Sequence, residues 1–195
     1  DMSAVVTGML LGMNLPPTIN PLYGVIGSFV AIGIAKQLFG GIGQNFANPA
    51  IVGRIVLMLS FTASMSTWCK PFYYLNGADV VTGATPLVSK DADYLSLLLG
   101  TTGGCIGETC AIALIAGGIY LIAARIITPH APVAFIGTVF LLTLIAGDDP
   151  IYAVLSGGLI IGAFFMATDY ATTPLTGKGK IIFGIGCGLI TFAIR

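Results

Sequence analysis

Asp79-Val-Val-Thr82-Gly83-Ala84-Thr85-Pro86 is the stretch of this chain best placed to do chemistry. Two hydroxyls stand three residues apart, behind an aspartate and around a Gly-Ala step, with Tyr73, Tyr74 and Tyr94 close in sequence. A hydroxyl displayed on such a loop can be covalently modified. The same residues also admit a purely structural reading. Thr85 would be an N-cap, Pro86 the first helical residue and Gly83 the tight turn before them. That reading leaves Asp79, Thr82 and Ala84 unexplained.

Other polar residues sit in apolar surroundings, where an ionisable side chain is a functional candidate by default. Glu108, in "TTGGCIGET", is expected just inside a helix that follows a glycine pair. There it would complement the helix dipole, or serve as a proton or sodium site. Asp169 ends an apolar run, and Thr168, Thr172, Thr173 and Thr176 add oxygens near it. That set suits either an ion path or helix caps. Arg54 follows Asn48-Pro49 and is expected to snorkel to headgroups at one surface. His130, beside two prolines, reads as a loop imidazole, since one histidine makes no ligand set. Cys69, Cys105, Cys110 and Cys187 form no Cys-x-x-Cys pair and read as buried single thiols, a Cys105–Cys110 pair being the alternative. No catalytic triad or metal set is legible.

The elements that must hold these residues are set by composition. Of 195 residues, 56% are hydrophobic and 8% charged, against about 25% charged in soluble domains. So few charges cannot cover a globule in water, and the chain is expected to be solvated by lipid. Net charge is zero and there is no basic stripe, which excludes nucleic acid as a partner. Seven apolar runs approach the length of a crossing, at 3–18, 21–39, 50–68, 103–127, 131–147, 151–169 and 179–195. Several are short, so broken helices are expected. Tyr94–Gly100 is too short to cross and reads as re-entrant, interfacial, or the start of a broken helix. The expected fold class is an all-α membrane protein, a polytopic bundle forming one transmembrane domain over residues 1–195, with a loop at 69–94. The chain starts at Asp1, without a signal peptide, and is read as the interior of a longer polypeptide.

Loop charges orient the bundle. Lys36, Arg54, Arg125, Lys178 and Lys180 fall on one side, while Asp79, Asp91, Asp93, Asp148 and Asp149 collect on the other, with only Lys70 and Lys90 as cations there. The positive-inside rule makes the first side cytoplasmic and the Thr85 loop extracytoplasmic. "TGATPLVSK" (Thr82–Lys90) and "YATTPLTGK" (Tyr170–Lys178) share Ala-Thr-Pro-Leu and fall on opposite sides. They are either an inverted repeat or two uses of one helix-start signal. The glycine runs at 40–43 and 184–188 follow no strand, so no dinucleotide-binding loop is expected. Close packing or unwound backbone is.

With these residues in view, Asp79 to Thr85 resembles the D-x-x-(S/T)-G-A-(S/T) flavinylation motif. "NFANPAIVGR" (Asn45–Arg54), "GGCIGETCAIALIAGGIYL" (Gly103–Leu121) and "TDYATTPLTGKGK" (Thr168–Lys180) fit the same company. The chain is similar, over nearly its whole length, to the RnfD/NqrB family. These are the flavinylated membrane subunits of Rnf complexes and of sodium-pumping NADH:quinone reductases. The "VGR" at Val52–Arg54 and the short link from Trp68 to Thr85 favour the Rnf side.

The resemblance implies FMN joined to Thr85 through a phosphoester, with Asp79, Thr82, Gly83, Ala84 and Pro86 as further cofactor-binding residues and Glu108 a candidate flavin contact. A second, non-covalent flavin is left open. It implies a fold similar to urea and ammonium channels. It further implies a separate flavin transferase for maturation, and a second flavinylated subunit and iron–sulfur subunits as partners. Electron flow between ferredoxin and NAD would be coupled to Na+ or H+ movement, with Asp169, Thr172 and Thr173 a candidate ion path. Two other readings stay open: the B subunit of the quinone reductase, and a channel or transporter for a small solute.

Overall fold

The computed structural model describes residues 2–69, 71, 85–89 and 92–195. Among these the chain is helical. α1 spans Ser3–Met13, α2 Pro21–Phe29, α3 Pro49–Ser60, α4 Thr62–Met65, α5 Pro86–Ser89 and α6 Tyr94–Leu99. α7 spans Ala111–Ala123, α8 His130–Ala146, α9 Pro150–Leu155, α10 Leu159–Ile161 and α11 Gly177–Ile194.

Local sequence explains where several helices begin. Asn20-Pro21, Asn48-Pro49 and Asp149-Pro150 each place a capping side chain before a proline already set to helical φ. The caps are made. Asn20 accepts from the Leu22 N–H at 3.0 Å, Asn48 from the Ala50 N–H at 3.0 Å and Asp149 from the Ile151 N–H at 3.0 Å. α2 and α10 each run on into a π turn, Val30–Ile34 and Gly162–Met166, and each ends at a buried alanine, Ala35 or Ala167.

Two buried clusters hold the bundle. Leu11, Leu15, Ala31, Ala50, Leu57 and Met65 join α1 to α4. Phe135, Val139, Leu159, Ala163 and Ala167 join α8 to α10, with Phe183 and Cys187 of α11 against them. The outward faces are apolar: Leu59 is 78% exposed, Ile145 80% and Ile182 71%. A surface of this kind needs hydrocarbon around it. Pro21–Phe39 and Gly177–Ile194 are long and apolar enough to cross a membrane.

The glycine run at 184–188 packs helices closely, as expected. α8 and α11 lie in parallel, and Gly184 and Gly188 face α8. A Cβ on Gly184 would stand 2.7 Å from the Ala131 carbonyl oxygen, and one on Gly188 2.6 Å from Thr138 Cβ. A Cβ on Gly186 would meet nothing within 4 Å. This is the small-xxx-small contact that lets backbones approach in lipid. Gly188→Val is expected to destabilise the bundle by about 1–3 kcal/mol, while Gly186→Ala is neutral or stabilising by up to about 1 kcal/mol. Thermal unfolding in detergent separates the two; equal melting temperatures would contradict the packing.

Several crossings are interrupted. The apolar run at 103–127 is helical only over Ala111–Ala123. Gly100, at φ +86°, ends α6 against the Thr109 carbonyl and Cys110 Cα, so α7 resumes beside the place where α6 stops. Residues 101–108 loop out between them. Tyr94–Leu99 is thus the start of a broken helix, one of its three expected readings. The run at 151–169 is broken at Ser156-Gly157-Gly158, with Gly157 at φ +68°.

From Thr85 on, the first Ala-Thr-Pro-Leu segment lies at α9, where Pro86 meets Tyr152, and the second leads to Gly177 beside His130 at the start of α8; their local structures differ. Pro86 starts one helical turn. Pro174 starts none: the cap of α11 is Thr176, accepting from the Gly179 N–H at 3.2 Å. Thr173 instead donates to the Ala167 carbonyl at 2.7 Å, which closes the end of the π turn.

Candidate functional site at the meeting of three helix breaks

The broken end of α1, the loop 101–110 and the α9–α10 break converge. The Ile106 N–H donates to the Leu15 carbonyl at 3.1 Å and the Gly107 N–H to the Met13 carbonyl at 2.7 Å. An interrupted helix leaves backbone groups that must find partners away from water, and here two interruptions satisfy each other. The approach requires glycine, since a Cβ at Gly107 would sit 2.5 Å from Met13 Cβ.

Glu108 is folded back into its own loop. Its Oε1 accepts from the Cys105 N–H at 2.9 Å. A Cβ on Gly104 would lie 2.7 Å from Oε1, and one on Gly158 3.2 Å from Oε2. The carboxylate is therefore held between the loop and the α9–α10 break. This corrects the expectation that Glu108 lies inside a helix. It precedes α7 by three residues, because the backbone of 101–108 is committed to α1.

Arg54 is corrected too. It does not extend to a surface but turns inward, donating to Asn14 Oδ1 at 2.8 Å and to Cys105 Sγ at 3.6 Å. Asn14 is 2% exposed and donates to the Leu10 carbonyl at 2.7 Å. The guanidinium thus supplies the donor that the amide oxygen needs in an apolar interior. Arg54 accordingly drops out of the charges that oriented the bundle.

These groups line a cavity of about 190 Å³ that includes Arg54, Trp68, Thr85, Gly103, Glu108 and Gly158. Thr85 is half-buried on its wall. The Pro86 carbonyl that follows accepts from the Tyr152 hydroxyl at 2.8 Å, which fixes the α5 turn to α9. α5 is a single turn, so little summed dipole stands at its start. Asp79, Thr82, Gly83 and Ala84 lie outside the described residues. On the far side of Leu87 a second cavity, about 510 Å³, is lined by Tyr94, Asp149, Tyr152, Ser156, Phe192 and Arg195 among others.

Asp149 is fully engaged at the rim of that second cavity. Oδ2 accepts from the Tyr94 hydroxyl and Oδ1 from the Ile151 and Tyr152 N–H groups. The Tyr94 donor, then the Tyr152 and Ile151 amides, hold its carboxyl below the usual carboxylate range. A depressed folded-state value means this cap contributes at neutral pH and is lost as pH falls through it. Wild type and Asp149→Ala are therefore expected to differ in melting temperature at pH 7 and to converge in acid. A difference that persists at low pH would refute the assignment.

Asp169, Thr172 and Thr173 lie at the opposite end. Asp169 Oδ1 accepts from the Ala171 N–H at 3.4 Å, and Oδ2 from Thr172 at 3.4 Å and from Asn45 Nδ2 at 3.3 Å. Asn48 Nδ2 reaches the Met166 carbonyl at 3.4 Å. The aspartate thus ties the turn after α10 to the loop before α3. His130 is the exposed first residue of α8, where a loop had been expected. The four cysteines are free thiols. Among the described residues no three acidic, histidine or cysteine side chains are placed to hold a metal. Sequence reasoning missed Asn14, Ser156 and Arg195. Only Asn14 carried a signal, an amide before Pro16-Pro17 at the end of an apolar run.

Interrupted crossings around two charged side chains, Arg54 and Glu108, inside an apolar-faced helical bundle, define an all-α membrane protein built around buried polar sites. The NQR2, RnfD, RnfE family model matches residues 1–195, and the chain belongs to that family. It is 48% identical to the D subunit of the Na(+)-translocating ferredoxin:NAD(+) oxidoreductase complex of Acetobacterium woodii, covering 100% of this chain and 63% of that protein. It is 46% identical to the D subunit of the proton-translocating ferredoxin:NAD(+) oxidoreductase complex of Clostridium ljungdahlii, covering 100% of this chain and 65% of that protein. It is 39% identical to the D subunit of the ion-translocating oxidoreductase complex of Rhodobacter capsulatus, covering 100% and 65% respectively. The chain thus spans slightly less than two thirds of the length of these relatives.

Proposed function

We propose that this chain is the membrane core of a D subunit in an ion-translocating ferredoxin:NAD+ oxidoreductase. It carries electrons through FMN held on Thr85 and works beside other subunits of the complex. The observation that carries the reading is the place of Thr85, on the wall of a cavity that the loop before α7, the α9–α10 break and the Arg54 and Glu108 side chains also line. The names of the similar proteins support the complex and the reaction.

The residues fit a tethered flavin in three respects. Thr85 keeps part of its side chain accessible. The Tyr152–Pro86 hydrogen bond fixes the tether's base. The larger cavity beside Leu87 lies within the roughly 300–1,000 Å³ of small-molecule sites, whereas the smaller one is below it. Bound flavin supplies the one- and two-electron chemistry. The protein's part is to anchor the phosphate end at Thr85 and wall the ring from lipid. The acidic end bearing Asp93, Asp148 and Asp149 is the extracytoplasmic one, where a flavin transferase would reach Thr85.

The test is the complete complex in sealed vesicles, supplied with reduced ferredoxin and NAD+. NADH formation accompanied by Na+ or H+ uptake is expected. Quinone reduction with NADH, and none with ferredoxin, would favour the quinone-reductase reading instead.

A further inference from the structure

The α9–α10 break separates the two cavities. Ser156 lines the larger one, and Gly157 and Gly158 line the smaller. Breaking the helix frees carbonyl oxygens, and two of them are met by the same side chain. Arg195 Nη1 donates to the Ala153 carbonyl at 2.5 Å and Nη2 to the Ser156 carbonyl at 3.1 Å. The guanidinium also lies against Gly157, where a Cβ would be 3.3 Å from Nη2. Glu108 lies against the next residue of the break, Gly158, where a Cβ would be 3.2 Å from Oε2.

One group in this septum remains unsatisfied. Ser156 is 0% exposed, and its hydroxyl has no hydrogen-bond partner among the described residues. A buried hydroxyl left unpaired forfeits its hydration without return, so it calls for a partner. It lines the larger cavity beside the two carbonyls that Arg195 holds. The local chemistry is uniform: two carbonyl oxygens and one hydroxyl oxygen, a carboxylate nearby, and a cation as the present partner of the carbonyls. Unwound backbone carbonyls supplemented by hydroxyls are ligands for a hard monovalent cation.

We propose that the Ser156 break is a sodium site for which Arg195 is the tethered competitor. Na+ takes the Ala153 and Ser156 carbonyls and the Ser156 hydroxyl when the guanidinium swings away, with waters completing its shell. Glu108 offsets the charge of either occupant. Arg195 thereby keeps the septum neutralised between ions and prevents an open leak between the cavities. No bond is made or broken in the exchange, and the charge at the carbonyls stays at one.

This inference rests on the ion-translocating reading. It adds the place where the ion is held and the residue that competes with it. Equilibrium binding of 22Na+ to the purified detergent-solubilised complex tests it, with K+ as the comparison cation at constant ionic strength. Arg195→Gln removes the competitor. It is expected to tighten Na+ binding by about tenfold, within the range of ordinary site–site couplings. Adding Ser156→Ala should cancel the gain, and K+ should displace little 22Na+.

An unchanged Na+ affinity in an assembled Arg195→Gln complex would overturn the proposal. So would a gain that survives Ser156→Ala. If Arg195→Gln does not assemble, Ser156→Ala alone decides: weakened Na+ binding supports the site, unchanged binding sinks it. Flavin fluorescence on a denaturing gel is recorded on every sample. A normal band with no Na+ effect removes this inference and leaves the electron-carrier reading in place. A missing wild-type band speaks against the tethered flavin instead.

Discussion

Thr85→Ala is expected to remove covalent flavin completely while leaving the bundle intact. The subunit from the matured wild-type complex should show an FMN-sized mass increase and a fluorescent band that survives denaturation. The variant should show neither. The loss is all-or-none because a phosphoester needs the side-chain oxygen and alanine has none. The cost to the fold is small. The neighbouring anchor runs through the Pro86 carbonyl and Tyr152, which the substitution leaves alone. Thr85→Ser keeps a hydroxyl at the same place and should keep the band. In Thr82→Ala any flavin that is attached should still map to Thr85, since the resemblance assigns the bond to the second hydroxyl and gives Thr82 to the surrounding motif. A bright, unshifted band in Thr85→Ala would end the tethered-flavin reading.

Gly107→Val is expected to have the largest structural effect. Even a Cβ at this position would stand 2.5 Å from Met13 Cβ, and 3.0 Å from both the Met13 carbonyl oxygen and Ile161 Cδ1. Met13 Cβ is fixed to backbone and cannot rotate away, so loop 101–110 must leave α1. Overpacking alone costs about 1–3 kcal/mol, and losing the Gly107–Met13 and Ile106–Leu15 hydrogen bonds adds about 1 kcal/mol each. The Arg54–Cys105 contact lies in the same loop, so the cavity wall should open with it. Cys105, 1% exposed, should be protected from maleimide in the wild type and labelled in the variant, alongside a lower melting temperature. Gly137→Ala, where a Cβ meets nothing within 4 Å, is the control and should melt no lower. A Gly107→Val protein with wild-type melting and a protected Cys105 would show that the junction does not hold the site together.

The contrast between these glycines shows where sequence reasoning reaches. Gly107, Gly137 and Gly186 look alike in the sequence, each a small residue in an apolar run. Only the position of Met13, nearly a hundred residues upstream, makes one of them indispensable. Glu108 was legible as a polar residue in oil but not as a loop residue. The glycines before it signal a break without saying which backbone the freed groups would find.

What the sequence determined by itself was governed by nearest neighbours and by solvent. The shortage of charge required lipid. The Asn-Pro and Asp-Pro pairs set the starts of α2, α3 and α9 within a residue, because a cap and a preset φ act over one turn. The shortness of several apolar runs marked crossings that could not be continuous.

Tertiary structure alone decided which polar groups meet. Asn45 reaches Asp169 across 124 residues of sequence. Arg54 turns to Asn14 instead of to a surface, and Arg195 closes the carbonyls left by the α9–α10 break. In an apolar solvent every unsatisfied donor must find an acceptor somewhere in the fold, and that partner is chosen by packing rather than by spacing along the chain.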